Sequence, residues 1–179
     1  PLNGEFPYEV SKSTSDLIST MYKTTYGVNV ASLRCGNIFG GGDFNWDRLI
    51  PGIIRYLIED KTPILRTKGD FIREWVYVED VADAYLETAK ALIEKRNNYS
   101  AYNFSSGEVM TVMEIYEMLS LLIKGEIIKP KIKTDSEFEI KDQKLDSSLI
   151  KNDLNIKSKY NFKESLTKTI TWYKEYFNN

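Results

Sequence analysis

The sequence predicts an α/β protein built on a parallel sheet with crossover helices, and two neighbouring segments carry this prediction. Apolar residues recur at helical spacing from Tyr8 to about Tyr26, and Gly27 follows as a residue able to end a helix. Residues 28 to 33 then form a short β-branched and apolar run, which is typical of a buried strand. Parallel strands need such crossover connections, so a helix leading into a buried strand after one glycine indicates this fold class.

The rest of the chain alternates helical and strand patterns in the same way. The spacing predicts helices at Leu49 to Ile58, Val81 to Glu94, Thr111 to about Ile123, a short one led by Asp146, and Phe162 to Phe177. Strands are expected at Ile64-Leu65, Trp75 to Val78 and Tyr102 to Phe104, and one more within the charged segment from Lys129 to Lys144. For the helix that begins at Val81 we expect Asp80 as its cap, with Ala82, Tyr85, Leu86 and Ala89 facing inward.

Composition excludes several classes of function. The chain has 179 residues, a net charge of -2 and a pI near 5.4, which gives no electrostatic case for binding nucleic acid. No stretch approaches the roughly 20 apolar residues that span a bilayer, so no membrane segment is expected. The single cysteine, Cys35, allows no internal disulfide and fits a reducing cytoplasm. Because histidine is absent, Ser-His and Cys-His nucleophiles are excluded, and no metal site is expected.

Tyr8 and Lys12 are the candidate catalytic pair. Pro7 is a suitable first helical residue, and a spacing of four then places the phenol and the ammonium on one helix face. A close ammonium stabilises the phenolate, which allows a tyrosine to take a proton from a sugar or alcohol hydroxyl at neutral pH. The same spacing is also common in ordinary surface pairs on helices, and spacing alone leaves both interpretations open.

The segment from Gly36 to Arg48 is rich in glycine and is a candidate phosphate-binding loop. Gly36, Gly40, Gly41 and Gly42 allow main-chain N-H groups to approach a ligand closely. The segment matches neither the Walker pattern nor the Rossmann glycine fingerprint, so a surface turn is the alternative interpretation.

Arginine is concentrated around this loop. Five of the six arginines lie within forty residues, at positions 34, 48, 55, 66 and 73, whereas the rest of the chain uses mostly lysine. The guanidinium fork is the better partner for phosphate oxygens, which favours an anionic ligand. Arg55 is the exception, for which we expect a surface ion pair with a nearby carboxylate.

Three motifs together resemble the extended short-chain dehydrogenase/reductases that modify nucleotide sugars. They are Tyr8-x3-Lys12, the run from Arg34 to Gly40, and the run from Arg73 to Asp80. Within that family, the stretch from Arg34 to Gly52 and the Pro63-Ile64-Leu65-Arg66 run are most similar to the CDP-glucose 4,6-dehydratases. The resemblance covers nearly the whole chain, and implies NAD as cofactor and a nucleotide sugar, CDP-glucose favoured, as substrate.

The resemblance also assigns roles to individual residues. It implies that Tyr8 is the base that takes the proton from the sugar 4-hydroxyl, while Lys12 holds the nicotinamide ribose and activates the phenol. Cys35 and Ile38 are the further cofactor-binding positions. Asn37 corresponds to an asparagine that touches the substrate. The remaining expected substrate-binding positions are Asn45, Arg48, Leu49, Ile64, Leu65, Arg66, Arg73 and Asn103.

The resemblance further implies a domain organisation. Residues 1–35 would form the last part of an NAD-binding Rossmann-type domain, and residues 36–179 a smaller α/β nucleotide-sugar-binding domain, with about 71–104 packing back on the Rossmann core. The Rossmann glycine turn and the groups for the later elimination step would lie upstream of Pro1. We therefore expect this chain to be the C-terminal half of an enzyme, inactive alone, whose full-length form is a homodimer paired through the Tyr8–Lys12 helix.

Two alternatives stay open. A nucleotide-sugar 4-epimerase or decarboxylase would share Tyr8, Lys12, Asn37 and Arg73 and differ mainly upstream. In a different class, the chain would be a non-catalytic nucleotide-sugar-binding module.

Overall fold

The computed structural model describes residues 4–133 and 141–178. Its helices are α1 Pro7–Tyr26, α2 Leu49–Ile58, α3 Val78–Ile93, α4 Val112–Lys124, α5 Ser148–Leu154 and α6 Phe162–Asn178. Its strands are β1 Ser32–Cys35, β2 Asn37–Phe39, β3 Ile64–Leu65, β4 Ile72–Tyr77, β5 Ala101–Phe104, β6 Glu108–Thr111, β7 Lys131–Ile132 and β8 Asp142–Gln143. None of the helices within the described ranges is long and apolar enough to cross a membrane.

The strands form three small sheets, and most of their pairings are parallel. β1 pairs with β5 in parallel, with Ser32 opposite Ala101 and Cys35 opposite Phe104. A second sheet has the order β2-β4-β6, in which β4 also pairs with β8, and only the β4–β6 ladder is antiparallel. β3 and β7 form the third, parallel pair. Parallel pairing between strands distant in the chain confirms the predicted α/β class.

Two hydrophobic clusters hold these layers together. In the first cluster α2, α4 and α6 pack against β2 and β4, with side chains such as Ile54 and Leu166 fully buried. In the second cluster α3, β5 and α5 pack together with β1, around Tyr102 and Ile150. Because β1 and β2 are separated only by Gly36, one short stretch of chain passes from the second cluster to the first.

Several predicted boundaries are wrong. The first strand begins at Ser32, not Val28, whose side chain is exposed. β2 and β6 were not predicted, because each is only three or four residues long and carries no clear alternation. The strand predicted in the Lys129–Lys144 segment is represented by β7 and β8, and residues 134–140 lie outside the described part.

The predicted inward face of α3 is also wrong. Val81, Ala84, Thr88 and Ala91 are buried, whereas Tyr85 and Leu86 are 53% and 61% exposed, and Ala82 and Ala89 are exposed as well. The helix carries two apolar stripes, and the stripe with small residues allows the closer approach to the neighbouring layer.

Asp80 does not cap α3, contrary to the prediction. The helix begins at Val78, so Asp80 lies inside the first turn. Its buried carboxylate accepts hydrogen bonds from the Ser158 hydroxyl at 2.6 Å and the Lys159 backbone N-H at 2.7 Å. Asp80 therefore connects α3 to the segment that precedes α6.

Candidate active site

A cleft of about 1470 Å³ brings most of the predicted site residues together. Its lining comes from α1, β1, β2, the start of α2, β3 and β4. Of the residues expected in the site, it includes Tyr8, Lys12, Cys35, Asn37, Ile38, Arg48, Leu49, Ile64, Arg66 and Arg73. Residues more than sixty positions apart in the chain thus share one concave surface, which is the usual setting of a ligand site.

The N-terminal turn of α1 presents Tyr8 and Lys12 to this cleft. Pro7 is the first helical residue, and the Glu9 carboxylate accepts hydrogen bonds from the backbone N-H groups of Glu5 and Phe6 at 3.0 and 3.5 Å. The Lys12 ammonium lies 5.4 Å from the centre of the Tyr8 ring. The expected proximity of the two side chains is therefore present, and Tyr8 is 72% exposed for contact with a ligand.

The same helix is connected to the sheet by an ion pair that sequence reasoning missed. Asp16 accepts a hydrogen bond from Arg34 Nε of β1 at 2.6 Å. Among the residues of α1, all of them described, Asp16 alone is buried. The available signal was its position four residues after Lys12, on the same helix face.

Asn37 lies at the start of β2 and is held by two hydrogen bonds. Its Nδ2 donates to the Glu74 backbone oxygen at 3.1 Å and to Gln143 Oε1 at 3.3 Å. Because both bonds use the nitrogen, Oδ1 remains the acceptor for a ligand hydroxyl. The preceding Gly36 allows this close pairing, since a Cβ there would lie 3.1 Å from the Glu74 backbone oxygen.

Four arginines line the cleft, and in addition to the Arg34–Asp16 pair two of them are paired with aspartates of the 43–48 loop. Arg48 contacts Asp43 at 3.1 Å, and Arg66 contacts Asp47 at 3.1 Å. All four side chains of these two pairs line the cleft. Asp47 and both arginines are largely exposed, whereas Asp43 is mostly covered. Arg73 Nη1 donates to the Ile72 backbone oxygen at 2.9 Å, and its guanidinium lies over the Phe71 ring. This cluster suits a ligand with two or more negative charges.

Cys35 lines the cleft but is not a nucleophile in this environment. Burial raises the pKa of its thiol to about 11, so the thiol stays protonated at neutral pH. Contact with a ligand, as expected for this position, would therefore involve a neutral and weakly polar group.

Three predicted binding residues lie outside the cleft lining. Asn45 Oδ1 accepts a hydrogen bond from the Asp47 backbone N-H at 3.2 Å, which shapes the loop. The Leu65 side chain is 1% exposed and belongs to the first cluster. Asn103 Nδ2 donates to the Asp146 backbone oxygen at 3.2 Å. Their roles in substrate binding stay predictions.

The glycines at 40 and 41 have a packing role that neither sequence interpretation included. A Cβ at Gly40 would lie 2.2 Å from Val78 Cγ1, and one at Gly41 would lie 2.4 Å from Trp172 Cγ. Neither residue lines the cleft. These glycines let the loop pass close to α3 and α6, so the phosphate-binding interpretation of the loop is not supported at these two positions. Arg55, by contrast, pairs with Glu59 at 3.0 Å as predicted.

Several cleft residues were not predicted from the sequence as binding residues. They are Trp46, Trp75, Lys133 and Gln143, together with the aspartates that pair with the arginines. Gln143, for example, lies more than a hundred residues from Asn37, and only the parallel β4–β8 pairing brings the two together.

The described residues form an α/β protein with parallel strand pairs and one concave cleft, and comparison with known families assigns it to a class. Residues 1–103, more than half of the chain, match the NAD dependent epimerase/dehydratase family. The chain therefore belongs to this family, whose description names NAD as the cofactor. The resemblance predicted from the motifs is confirmed at the level of the family.

The curated relatives include dehydratases with two different nucleotides. A dTDP-glucose 4,6-dehydratase of Shigella flexneri is 29% identical over 171 residues, which are 93% of this chain and 47% of that protein. A CDP-glucose 4,6-dehydratase of Salmonella typhimurium is 28% identical over 194 residues, covering 97% of this chain and 52% of that protein. The chain thus spans about half the length of the curated relatives it matches.

Solved structures show the same fold. A dTDP-glucose 4,6-dehydratase from Bacillus anthracis in complex with NAD superposes with a TM-score of 0.83 at 26% identity, covering 98% of this chain and 54% of that one. A UDP-glucose 4-epimerase from Thermotoga maritima gives a TM-score of 0.89 at 19% identity, with 98% and 55% coverage, which concerns the fold alone. The predicted fold class, part of a Rossmann-type sheet with a smaller α/β portion, is confirmed.

Proposed function

We propose that this chain carries the catalytic Tyr-Lys pair and the nucleotide-sugar wall of an NAD-dependent nucleotide-sugar 4,6-dehydratase, with CDP-glucose as the favoured substrate. The observation that carries the proposal is the shared cleft, in which Tyr8 and Lys12 lie on the same concave surface as Asn37 and the arginines. A sugar nucleotide has hydroxyls that Tyr8 and Asn37 can contact and a diphosphate that the arginines can bind.

Tyr8 is the residue that acts on the sugar. As the phenolate, its side chain, 72% exposed beside the Lys12 ammonium, takes the proton of the 4-hydroxyl as that carbon is oxidised. The ammonium stabilises the phenolate before this transfer. Because the product keeps the carbonyl at C4, the Tyr8 phenol releases its proton before the next turnover.

Bound NAD would supply the acceptor and donor of the hydride. The residues present fit only the nicotinamide-ribose end of this cofactor, since Tyr8, Lys12, Cys35 and Ile38 line the cleft while no Rossmann glycine fingerprint occurs in the 179 residues.

The arginines hold the diphosphate of the substrate. Arg48, Arg66 and Arg73 all line the cleft, and a guanidinium can bind two phosphate oxygens at once. Asn37 Oδ1 accepts a hydrogen bond from a sugar hydroxyl, because its Nδ2 is already used on Glu74 and Gln143. Ile64 offers its 39% exposed side chain to the nucleobase.

The preference for CDP-glucose over dTDP-glucose rests on the Arg34–Gly52 stretch and the Pro63-Ile64-Leu65-Arg66 run, since dehydratases of both nucleotides are similar to the chain at nearly equal identity. The test uses the complete protein encoded by the gene with CDP-glucose, dTDP-glucose and UDP-glucose. A 4-keto-6-deoxy product, seen by its absorbance in alkali, is expected to form fastest from CDP-glucose. Faster turnover of dTDP-glucose would overturn the nucleotide preference, and a 4-epimer without the keto chromophore would overturn the dehydratase assignment.

Removal of the Tyr8 hydroxyl tests the assignment of the base. We expect Tyr8→Phe to lower kcat by roughly 100- to 10,000-fold while the Kd of the nucleotide sugar changes little. Tyr26→Phe is the matched control, because Tyr26 lies at the other end of α1, is equally exposed and does not line the cleft. Equal rates for Tyr8→Phe and wild type would remove Tyr8 from the mechanism.

We also propose that the complete protein is a homodimer that pairs through α1. Val10, Leu17, Ile18, Met21 and Tyr22 of this helix are all exposed. Light scattering is expected to give twice the mass of one chain, and a monomer at micromolar concentration would contradict the proposal.

A further inference from the structure

We propose that Asp16 and Arg34 are positioning residues, which hold Tyr8 and Lys12 at the orientation that the proton transfer requires. This inference rests on the proposed function of the Tyr8–Lys12 pair. It adds two residues that neither the sequence motifs nor the comparisons assign.

The first step of the argument is the geometry of α1. Tyr8, Lys12 and Asp16 are spaced by four residues, and each such step advances about 40° around the helix, so the three lie along one stripe. All three line the cleft. A rotation of α1 about its axis that moves Asp16 therefore moves the phenol and the ammonium with it.

The second step is the burial of α1. All of its residues are described, and Asp16 alone is buried, at 8% exposure. The apolar side chains of the helix, such as Leu17 at 59% and Met21 at 42% exposure, do not pack into either hydrophobic cluster. Within the described structure, apolar packing thus contributes little to the orientation of this helix, and Asp16 provides its buried contact with the sheet.

The third step is the partner of Asp16. The Arg34 Nε to Asp16 Oδ2 distance is 2.6 Å, and Arg34 lies opposite Asn103 in the β1–β5 ladder. The hydrogen bond to Asp16 raises the pKa of Arg34, so the guanidinium keeps its charge. Asn37, the proposed contact of the sugar, lies three residues after Arg34 in the chain. The pair therefore fixes the base relative to the strand that holds the substrate.

The consequence is a separation of kinetic effects. A misplacement of about 1 Å at a reacting group can lower a rate roughly 100-fold. Because the pair acts through Tyr8 and Lys12, its loss should reduce kcat by about this factor and change KM by less than about threefold. A residue needed only for folding would lower the amount of active enzyme and leave kcat per folded molecule unchanged.

The experiment is a double-mutant cycle in the complete protein, with Asp16→Asn, Arg34→Gln and both changes together. Glu59→Gln is the matched control, since it removes a carboxylate from another arginine pair outside the cleft lining. We expect each single variant to lose about 100-fold in kcat, and the double variant to lose no more than either single one. Glu59→Gln should keep the wild-type kcat.

Unchanged kcat in Asp16→Asn, or losses that multiply in the double variant, would overturn the proposal. If Asp16→Asn fails to fold, Arg34→Lys replaces it, because it keeps the charge without the Nε donor, and unchanged kcat there would be equally decisive.

A wild-type protein that turns over no nucleotide sugar would refute the proposed function and not the positioning role. In that case hydrogen exchange decides: Asp16→Asn should accelerate exchange of α1 amides about tenfold relative to Glu59→Gln, and equal exchange would overturn the inference.

Discussion

At the residue scale, Cys35 shows how the fold controls chemistry in the cleft. It is the only cysteine of the 179 residues, and burial raises the pKa of its thiol to about 11. A protonated thiol is neither an effective nucleophile nor a metal ligand, so Cys35 contributes only a neutral, weakly polar surface to the cleft.

The raised pKa of Cys35 predicts that alkylating reagents modify its thiol slowly. At pH 8 iodoacetamide should react with Cys35 roughly 20-fold more slowly than with an unstructured cysteine, because the smaller thiolate fraction outweighs the greater reactivity of each thiolate. The rate should keep rising up to about pH 11. The chain unfolded in guanidinium is the control and should react at the ordinary rate; a plateau near pH 9 in the folded chain would contradict the prediction.

At the element scale, the loop between β2 and α2 is shaped by packing against α3. Gly40 is buried, and an added Cβ would lie 2.2 Å from Val78 Cγ1. Valine is stiff at χ1 and cannot easily move away, so the loop or the helix must shift.

We therefore expect Gly40→Ala to lower the free energy of unfolding by about 1–3 kcal/mol, measured by urea denaturation. Val78→Ala in the same molecule should recover part of this loss. Gly107→Ala is a useful comparison, since nothing lies within 4 Å of its Cβ and only the φ of +83° opposes it. A Gly40→Ala variant as stable as the wild type would show that the loop adapts freely.

The start of α4 is fixed by a reciprocal pair of hydrogen bonds. The Thr111 hydroxyl accepts from the Glu114 backbone N-H at 3.1 Å, and the Glu114 carboxylate accepts from the Thr111 backbone N-H at 2.7 Å. Thr111→Ala should lower the free energy of unfolding by about 1 kcal/mol at pH 7, whereas Thr111→Ser should cost less because it keeps the acceptor.

The same cap predicts a pH dependence. The Thr111 backbone N-H, and then its hydroxyl, lower the pKa of Glu114 below its ordinary value. A carboxylate with a lowered folded-state pKa contributes stability above its unfolded pKa of about 4.3, and loses it as the pH falls through the folded value. The stability difference between wild type and Glu114→Gln should thus be present at pH 7 and disappear as the pH falls through the lowered folded-state pKa of Glu114. A difference independent of pH would contradict this explanation.

Helices were more predictable from the sequence than strands, for a physical reason. α2 and α4 have local signals, namely periodic apolar residues, a cap at Thr111 and Gly125 in the left-handed conformation at the end of α4. β2 and β6 are defined by partners on β4 that lie thirty or more residues away, and short segments carry no record of such pairing. The prediction of the inward face of α3 was wrong for a similar reason. The helix has two apolar stripes, and only its packing in the folded chain determines which stripe is buried.

At the scale of the whole molecule, α1 and α3 expose many apolar side chains. Leu17 is 59% and Leu86 61% exposed, and Ile18, Met21 and Tyr85 are also uncovered. Exposed apolar surface of this kind favours association.

We expect the 179-residue chain, produced alone, to bind a hydrophobic dye and to self-associate at micromolar concentration. Leu17→Glu combined with Leu86→Glu should reduce both effects, as measured by dye fluorescence and light scattering. Leu121→Glu is the control, because Leu121 is 49% exposed on α4, and α4 packs in the first hydrophobic cluster, which contains no residue of α1 or α3. A monodisperse wild-type chain without dye binding would contradict the prediction.

The site was predictable where its residues belong to local motifs. Helical spacing predicts that Tyr8 and Lys12 lie close together, and the clustering of the arginines predicts a shared anion site, while the roles of Tyr8 and Lys12 come from the resemblance. Asp16, Gln143 and the aspartate partners of the arginines were not predictable, because each acquires its role from a contact made across the fold. Asn103 and Leu65 were expected in the site from the resemblance; the structure places the Asn103 side chain against the Asp146 backbone and Leu65 in the first cluster, and their roles in binding stay predictions.

The two pairs Arg48–Asp43 and Arg66–Asp47 at the cleft bear on how an anion would be selected. Arg48 and Arg66 bring two positive charges, and Asp43 and Asp47 bring two negative ones, so this part of the wall is locally neutral before a ligand arrives. A diphosphate that binds as proposed exchanges one set of anions for another at these two pairs. Selection among anions there would occur at close range, by the ability to displace a carboxylate.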